Sequence, residues 1–114
     1  MSSSKPGPGK GEPIRPEPSG PAEFHFRRAW QLRKDHHDKE AAAAFYESLK
    51  HQPDRPSTHF NLALTHDRLG DGAAALTHAR LALELFRRDG DPGKMRNAER
   101  LLNKLLRKHS PKDS

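Results

Sequence analysis

A chain of 114 residues without cysteine holds one domain at most and can form no disulfide, no thiolate metal site and no cysteine nucleophile. Hydrophobic and charged residues each make up 32%, between an ordinary globular domain and a disordered chain, so a folded core with unfolded flanks is expected. The net charge of +6 gathers at the C-terminal end, where residues 91–114 hold seven basic and three acidic side chains. That bias suits acidic partners, nucleic acid or an anionic surface.

Residues 1–20 contain one large apolar side chain, Ile14, and six of the ten prolines fall within the first 21 positions. Such a segment cannot bury enough surface to offset its ordering entropy, so a disordered Pro/Gly/Ser-rich tail is expected. Gly7–Gly11 (GPGKG) lacks the preceding strand and the Lys-Ser/Thr ending of a phosphate loop. Pro13–Pro18 reads as a proline-motif ligand or, more plainly, as a linker.

A first helix is predicted from Pro21 to about Lys34, capped by Ser19 or Gly20, with Phe26, Ala29, Trp30 and Leu32 on related faces. The loop Asp35-His36-His37-Asp38 leads to a second helix over about Asp38–His51. It carries Ala41, Ala42, Phe45 and Leu49 and is closed by Pro53. A third starts near Ser57, read as its N-cap, and stops by Gly70, with Phe60, Ala63, Leu64 and Leu69 at helical spacing. A fourth runs from Asp71 or Gly72 to about Arg88, placing Ala75, Leu76, Ala79, Leu83 and Phe86 on one stripe before Gly90. Asp91-Pro92 reads as cap and first position of a fifth helix reaching about Lys108. Its apolar face holds Met95, Ala98, Leu101, Leu102, Leu105 and Leu106. The domain is therefore expected over 21–109, between disordered tails at 1–20 and 110–114.

Sliding the chain against itself by 34 positions sets His25 on His59, Phe26 on Phe60, Ala29 on Ala63, Ala41 on Ala75 and Leu49 on Leu83. Trp30 meets Leu64 and Ala42 meets Leu76. A fixed period of this size marks stacked helix–turn–helix units. At these positions the chain resembles the tetratricopeptide repeat family. Ala29 and Ala63, Ala41 and Ala75, and Ser48 and Ala82 match its small residues at helix crossings. Pro53 matches its closing proline, and Leu69-Gly70-Asp71 its turn. The resemblance covers about Ala22–Arg88, two repeats, with Asp91–Lys108 similar to a capping helix. It implies an all-α fold, a short right-handed α-solenoid. Departures are His25 and His59 at a large apolar position, Arg28 at a leucine position and Arg87 where the second repeat would end in proline. Two repeats bury too little alone, so the fifth helix or self-association must supply the rest.

The resemblance also implies a concave groove lined by Phe26, Trp30, Arg33 and Lys34 and by Phe60, Leu64, Asp67 and Arg68. Aromatic anchors with an arginine rim suit a protein or peptide segment, an acidic one fitting the basic excess. The plainer alternative is that these residues only pack the stack. Of the family's lysine–asparagine clamp for C-terminal carboxylates only Asn61 matches, and the clamp is not expected. Arg96, Arg100, Lys104, Arg107 and Lys108 form a basic stripe on the fifth helix, a candidate for phosphate or acidic surfaces. No aromatic interleaves it, so base stacking is not supported. His36-His37 between Asp35 and Asp38 is the best metal candidate, but four adjacent residues rarely converge on one ion. His59 and His66 lie about 10 Å apart along a helix. Neither a catalytic constellation nor a cofactor is expected.

The chain reads as a non-enzymatic interaction scaffold or adaptor. The alternatives left open are a nucleic-acid or acidic-surface binder acting through the last helix, and a self-associating structural subunit. A metal-dependent enzyme is the remaining, least supported reading. No apolar run spans a bilayer and no secretory signal is evident, so no membrane partner and a cytoplasmic location are expected.

Overall fold

The computed structural model describes residues 20–109, which form five helices: α1 (Pro21–Lys34), α2 (Asp38–His51), α3 (Pro56–Arg68), α4 (Gly72–Asp89) and α5 (Pro92–His109). Those residues contain no strand. Apart from Gly20, the tails expected at 1–20 and 110–114 lie outside the described residues, as do the Gly7–Gly11 and Pro13–Pro18 segments.

Proline, glycine and aspartate set most of the boundaries. Pro21 opens α1 behind Gly20, whose carbonyl accepts from the Phe24 amide at 3.0 Å. The carboxylate of Asp71 caps α4 by accepting from the Ala74 amide at 3.2 Å, and Asp91 does the same for α5 from Lys94 at 3.1 Å. Gly90 ends α4 in the left-handed region, at φ 70°. At α3 the expected cap is displaced. Pro56 occupies the first turn and Arg55 precedes it in extended backbone, with no side-chain cap, so Ser57 already lies inside the helix. The fixed φ of proline suits the first helical position, and this outweighs the capping preference of the serine after it. Leu69 is likewise the residue after α3 rather than part of its buried stripe, and is 37% exposed.

Each helix packs on its chain neighbour, α1 on α2, α3 on α4, α2 on α3 and α4 on α5, and α1 also touches α3. Ala29, Ala41, Ala63, Ala75, Ala79, Ala82 and Ala98 are completely buried. Side chains this small let helix axes approach closely, so the core is built from alanine at the crossings and larger residues between them. Ser48 at one crossing is also fully buried, its hydroxyl donating to the Ala22 carbonyl at 2.7 Å. Phe45 and Leu62 fill the α1–α2–α3 cluster. Leu101 and Leu105 of α5 pack against Ala63, Ala75 and Ala79, so α5 supplies burial that two hairpins alone would lack.

Candidate functional site

On the side where α1 meets α3, the expected groove residues fall into two groups. Phe26 is half-buried: its ring packs edge-on to Phe45, centroids 5.7 Å apart, beneath the Arg55 guanidinium 4.1 Å from its centre. Arg55 is held by Glu23, which also binds Arg27 at 2.6 Å. Burial alone would raise the Glu23 pKa, but the two arginines outweigh it and lower the value. Trp30 is different, with 40% of its surface open and the Lys34 ammonium 5.0 Å from its ring centre. Arg33 and Arg68 belong to a polar clasp at the α1–α2 turn. There Arg68 pairs with Asp38 at 3.0 Å, donates to the Arg33 carbonyl at 3.3 Å and lies 2.6 Å from Nδ1 of His36. Burial and the nearby Arg68 charge lower the Arg33 pKa. His36, one half of the His36-His37 pair, holds the turn at φ 64°.

The α3 group is largely shielded. Leu64 packs into the cluster formed with Leu101 and Leu105. Asp67 accepts from His109 Nε2 at 2.9 Å and pairs with Lys108 at 3.0 Å. Burial would raise the Asp67 pKa, yet the His109 and Lys108 hydrogen bonds outweigh it and hold the carboxyl below its ordinary value. Phe60 forms, with Phe86, the floor of a notch of about 180 Å³ rimmed by Ser57, Asn61, Lys94 and Asn97. The stripe on α5 is split in consequence. All five side chains are exposed, but Lys108 is drawn to Asp67.

A second constellation was not read from the sequence. Tyr46 of α2 places its hydroxyl 2.9 Å from His66 Nε2 on α3 and 3.0 Å from His78 Nε2 on α4. His78 Nδ1 lies 3.0 Å from His59 Nδ1, and His59 Nε2 reaches the Pro53 carbonyl at 2.8 Å. The His59 and His66 rings both stack on His78. Three helices are thus joined by one chain of hydrogen bonds. No three histidine or acidic side chains among the described residues are grouped to hold a metal.

A solved structure shares this arrangement. A tetratricopeptide repeat domain protein from Salinibacter ruber, determined by NMR in solution, superposes with a TM-score of 0.72 over 87% of this chain and 99% of that one. The fold is that of a tetratricopeptide repeat. Sequence identity is only 19%, so the likeness is one of architecture. No protein-family model matches the sequence, and no curated protein does.

Within the tetratricopeptide architecture the first repeat keeps its open aromatic, Trp30, while the second turns its equivalent, Leu64, toward the last helix. Trp30 and Lys34 stand together at the surface; Arg68 joins Arg33 at the turn, and Asp67 joins the C-terminal end of α5. The histidine–tyrosine chain had one faint signal, the buried polar residue His59 at a position where the repeat prefers a large apolar side chain.

Proposed function

We propose that this chain is a non-enzymatic interaction module that holds a protein or peptide segment along its α1–α3 side. The supporting observation is Trp30, a large aromatic left 40% exposed at a repeat position whose equivalent, Leu64, is partly buried against the Leu101–Leu105 cluster. An indole beside a lysine offers an apolar anchor and a charge for an acidic neighbour, the pairing from which binding hot spots are usually made. The Phe60–Phe86 notch, bordered by Lys94 and by no acid, extends the same preference. The partner is therefore an acidic segment bearing an aromatic or aliphatic side chain, and the basic excess of the chain steers it.

Trp30 is the sole tryptophan, so its emission reports the site directly. Peptides selected from a displayed library against the full chain should shift that emission as they bind. Their affinity should fall about tenfold or more with Trp30→Ala or Phe60→Ala. Selected peptides that bind both variants as tightly as the parent would refute the assignment.

A second reading rests on α5, where Arg96, Lys104 and Arg107 are exposed and have no ion pair among the described residues. A nucleic-acid or acidic surface bound there would show a steep salt dependence, lost on joint substitution of Arg96, Arg100 and Lys104. Binding that ignores salt or those substitutions removes this reading.

A further inference from the structure

The 34-residue equivalence also identifies a face that the second repeat buries and the first leaves bare. Thr58 and Leu62 of α3 are fully buried, Leu62 within the cluster formed by Ala41, Ala42, Ala44 and Phe45 of α2. Their counterparts on α1 are Phe24, 62% exposed, and Arg28, also exposed. With Glu40, Ala43, Ala44 and Glu47 of α2 these two border a hollow of about 320 Å³ at the open end of the stack. One wall is fixed, because His25 meets Phe24 edge-on at 5.2 Å and stacks on His51 at 5.7 Å.

We infer that this face, centred on Phe24 and Arg28, docks on the same face of a second copy of the chain. The argument is the charge pattern around the apolar centre. Arg28 has no ion-pair partner among the described residues, whereas two carboxylates stand on the opposite row, Glu40 with His37 at 3.5 Å and Glu47 paired with Lys50 at 3.0 Å, both exposed enough to take a further cation. A uniformly acidic partner would meet those carboxylates, and a uniformly basic one would meet Arg28. A two-fold pairing instead sets each Arg28 against the other copy's acidic row, and does so twice. It also gives each Phe24 the hollow of the other copy. Head-to-tail stacking on α5 fails, because the outer face of that helix offers Arg96, Arg100 and Lys104 rather than an apolar bed. The docking face is separate from Trp30, so either reading can fail without the other.

Sedimentation equilibrium of the full chain tests the inference. The parent should be a reversible dimer. Phe24→Ala and Arg28→Glu should each weaken dimerisation about tenfold or more. The triple variant Arg28→Glu, Glu40→Arg, Glu47→Arg should recover affinity to within about threefold of the parent, since the exchange restores the pairing. Circular-dichroism melts would show that the variants remain folded, as the exposure of Phe24 and Arg28 leads one to expect. A parent that stays monomeric at millimolar concentration overturns the inference, as does a dimer indifferent to the substitutions. Nuclear Overhauser contacts in a monomer between the Phe24 ring and residues 1–19 would overturn it too, by making the chain's own N-terminal segment the occupant.

Discussion

His59 and His78 bring their Nδ1 atoms within 3.0 Å of each other, and with both rings neutral only one proton lies between them. Its owner follows from the next bond along. The Pro53 carbonyl can only accept, so His59 Nε2 carries a hydrogen and His59 Nδ1 is left as the acceptor. His78 must then donate from Nδ1, leaving Nε2 to accept from the Tyr46 hydroxyl. The phenol oxygen in turn accepts from His66 Nε2. One backbone carbonyl thereby sets the tautomers of three histidines on two helices. The last free position, His66 Nδ1, has no hydrogen bond and faces Asp71 at 3.7 Å.

Acid should loosen this junction through His78. A proton on its Nε2 would oppose the Tyr46 donor, and burial, followed by His59 and His66, lowers the His78 pKa from 6.5 to about 4. Burial, with Asp71 behind it, also raises the Tyr46 pKa and keeps the phenol a donor. Between pH 6.5 and about 4 the unfolded chain binds the His78 proton and the folded chain does not, so stability falls as pH is lowered through that window. The full shift corresponds to about 3 kcal/mol; discounted for solvent reaching the cluster past Tyr46, a loss of about 2 kcal/mol is expected. Urea titrations from pH 7.5 to 4 should show it, and His78→Asn should be weaker at neutral pH but flatter across the range. An equally steep pH dependence in that variant would assign the effect elsewhere.

Enlarging the crossing alanines should cost more than enlarging their neighbour. Ala63 and Ala75 have no exposed surface, whereas Ala73, in the same alanine run as Ala75, lies on the outside. Leucine at position 63 or 75 should destabilise by about 1–3 kcal/mol, because the surrounding helices must separate to admit it. Ala73→Leu should stay within about 0.5 kcal/mol in the same denaturant midpoints. Equal midpoints for all three would show that the helix pairs do not meet at these alanines.

These contrasts also show what could be read from the chain and what could not. Helix number, order and most ends were legible because Asp71, Gly90 and Asp91-Pro92 act locally, through caps and backbone preference. The crossing alanines were legible because the 34-residue period repeats them. At Ser57 two local signals competed, and Pro56 prevailed. The surroundings of the groove residues were not legible. Whether Leu64 faces a partner or Leu105 depends on where α5 comes to rest, and the ion pair of Asp67 is made with residues 41 and 42 positions away. The histidine–tyrosine chain has no spacing signature either, since its members come from three helices.

Asp67 should act as the tether for the end of α5. Its carboxylate gathers His109 and Lys108, and its pKa is lowered because those hydrogen bonds outweigh burial. A depressed carboxyl pKa stabilises the fold above the unfolded value and loses that contribution as pH falls through the folded one. Asp67→Asn should therefore leave the N-terminal half of α5, anchored by Ala98 and Leu101, protected from hydrogen exchange while the last turn exchanges faster. Uniform protection of α5 in the variant would mean that leucine packing alone holds the helix end.

Gly72 and Gly90 should respond to alanine for opposite reasons. At Gly90 a Cβ meets nothing within 4 Å, but the residue sits at φ +70°, so Gly90→Ala should cost about 1 kcal/mol from backbone strain alone. Gly72 has helical backbone, where alanine is normally better by about 1 kcal/mol. Here, however, the added Cβ would lie 2.5 Å from His109 Nδ1, 2.6 Å from its Cγ and 2.9 Å from its Cβ. The collision reaches the base of the ring, so the last turn of α5 has to move and the Asp67 bond is lost with it. Gly72→Ala should thus destabilise the parent by about 1 kcal/mol and stabilise a His109→Gly background, a reversal of sign that a double-mutant cycle would measure. Gly90→Ala serves as the control, costing the same in both backgrounds because its strain does not depend on α5. The same sign for Gly72→Ala in both would mean that the helix end yields freely and that His109 does not depend on the missing side chain.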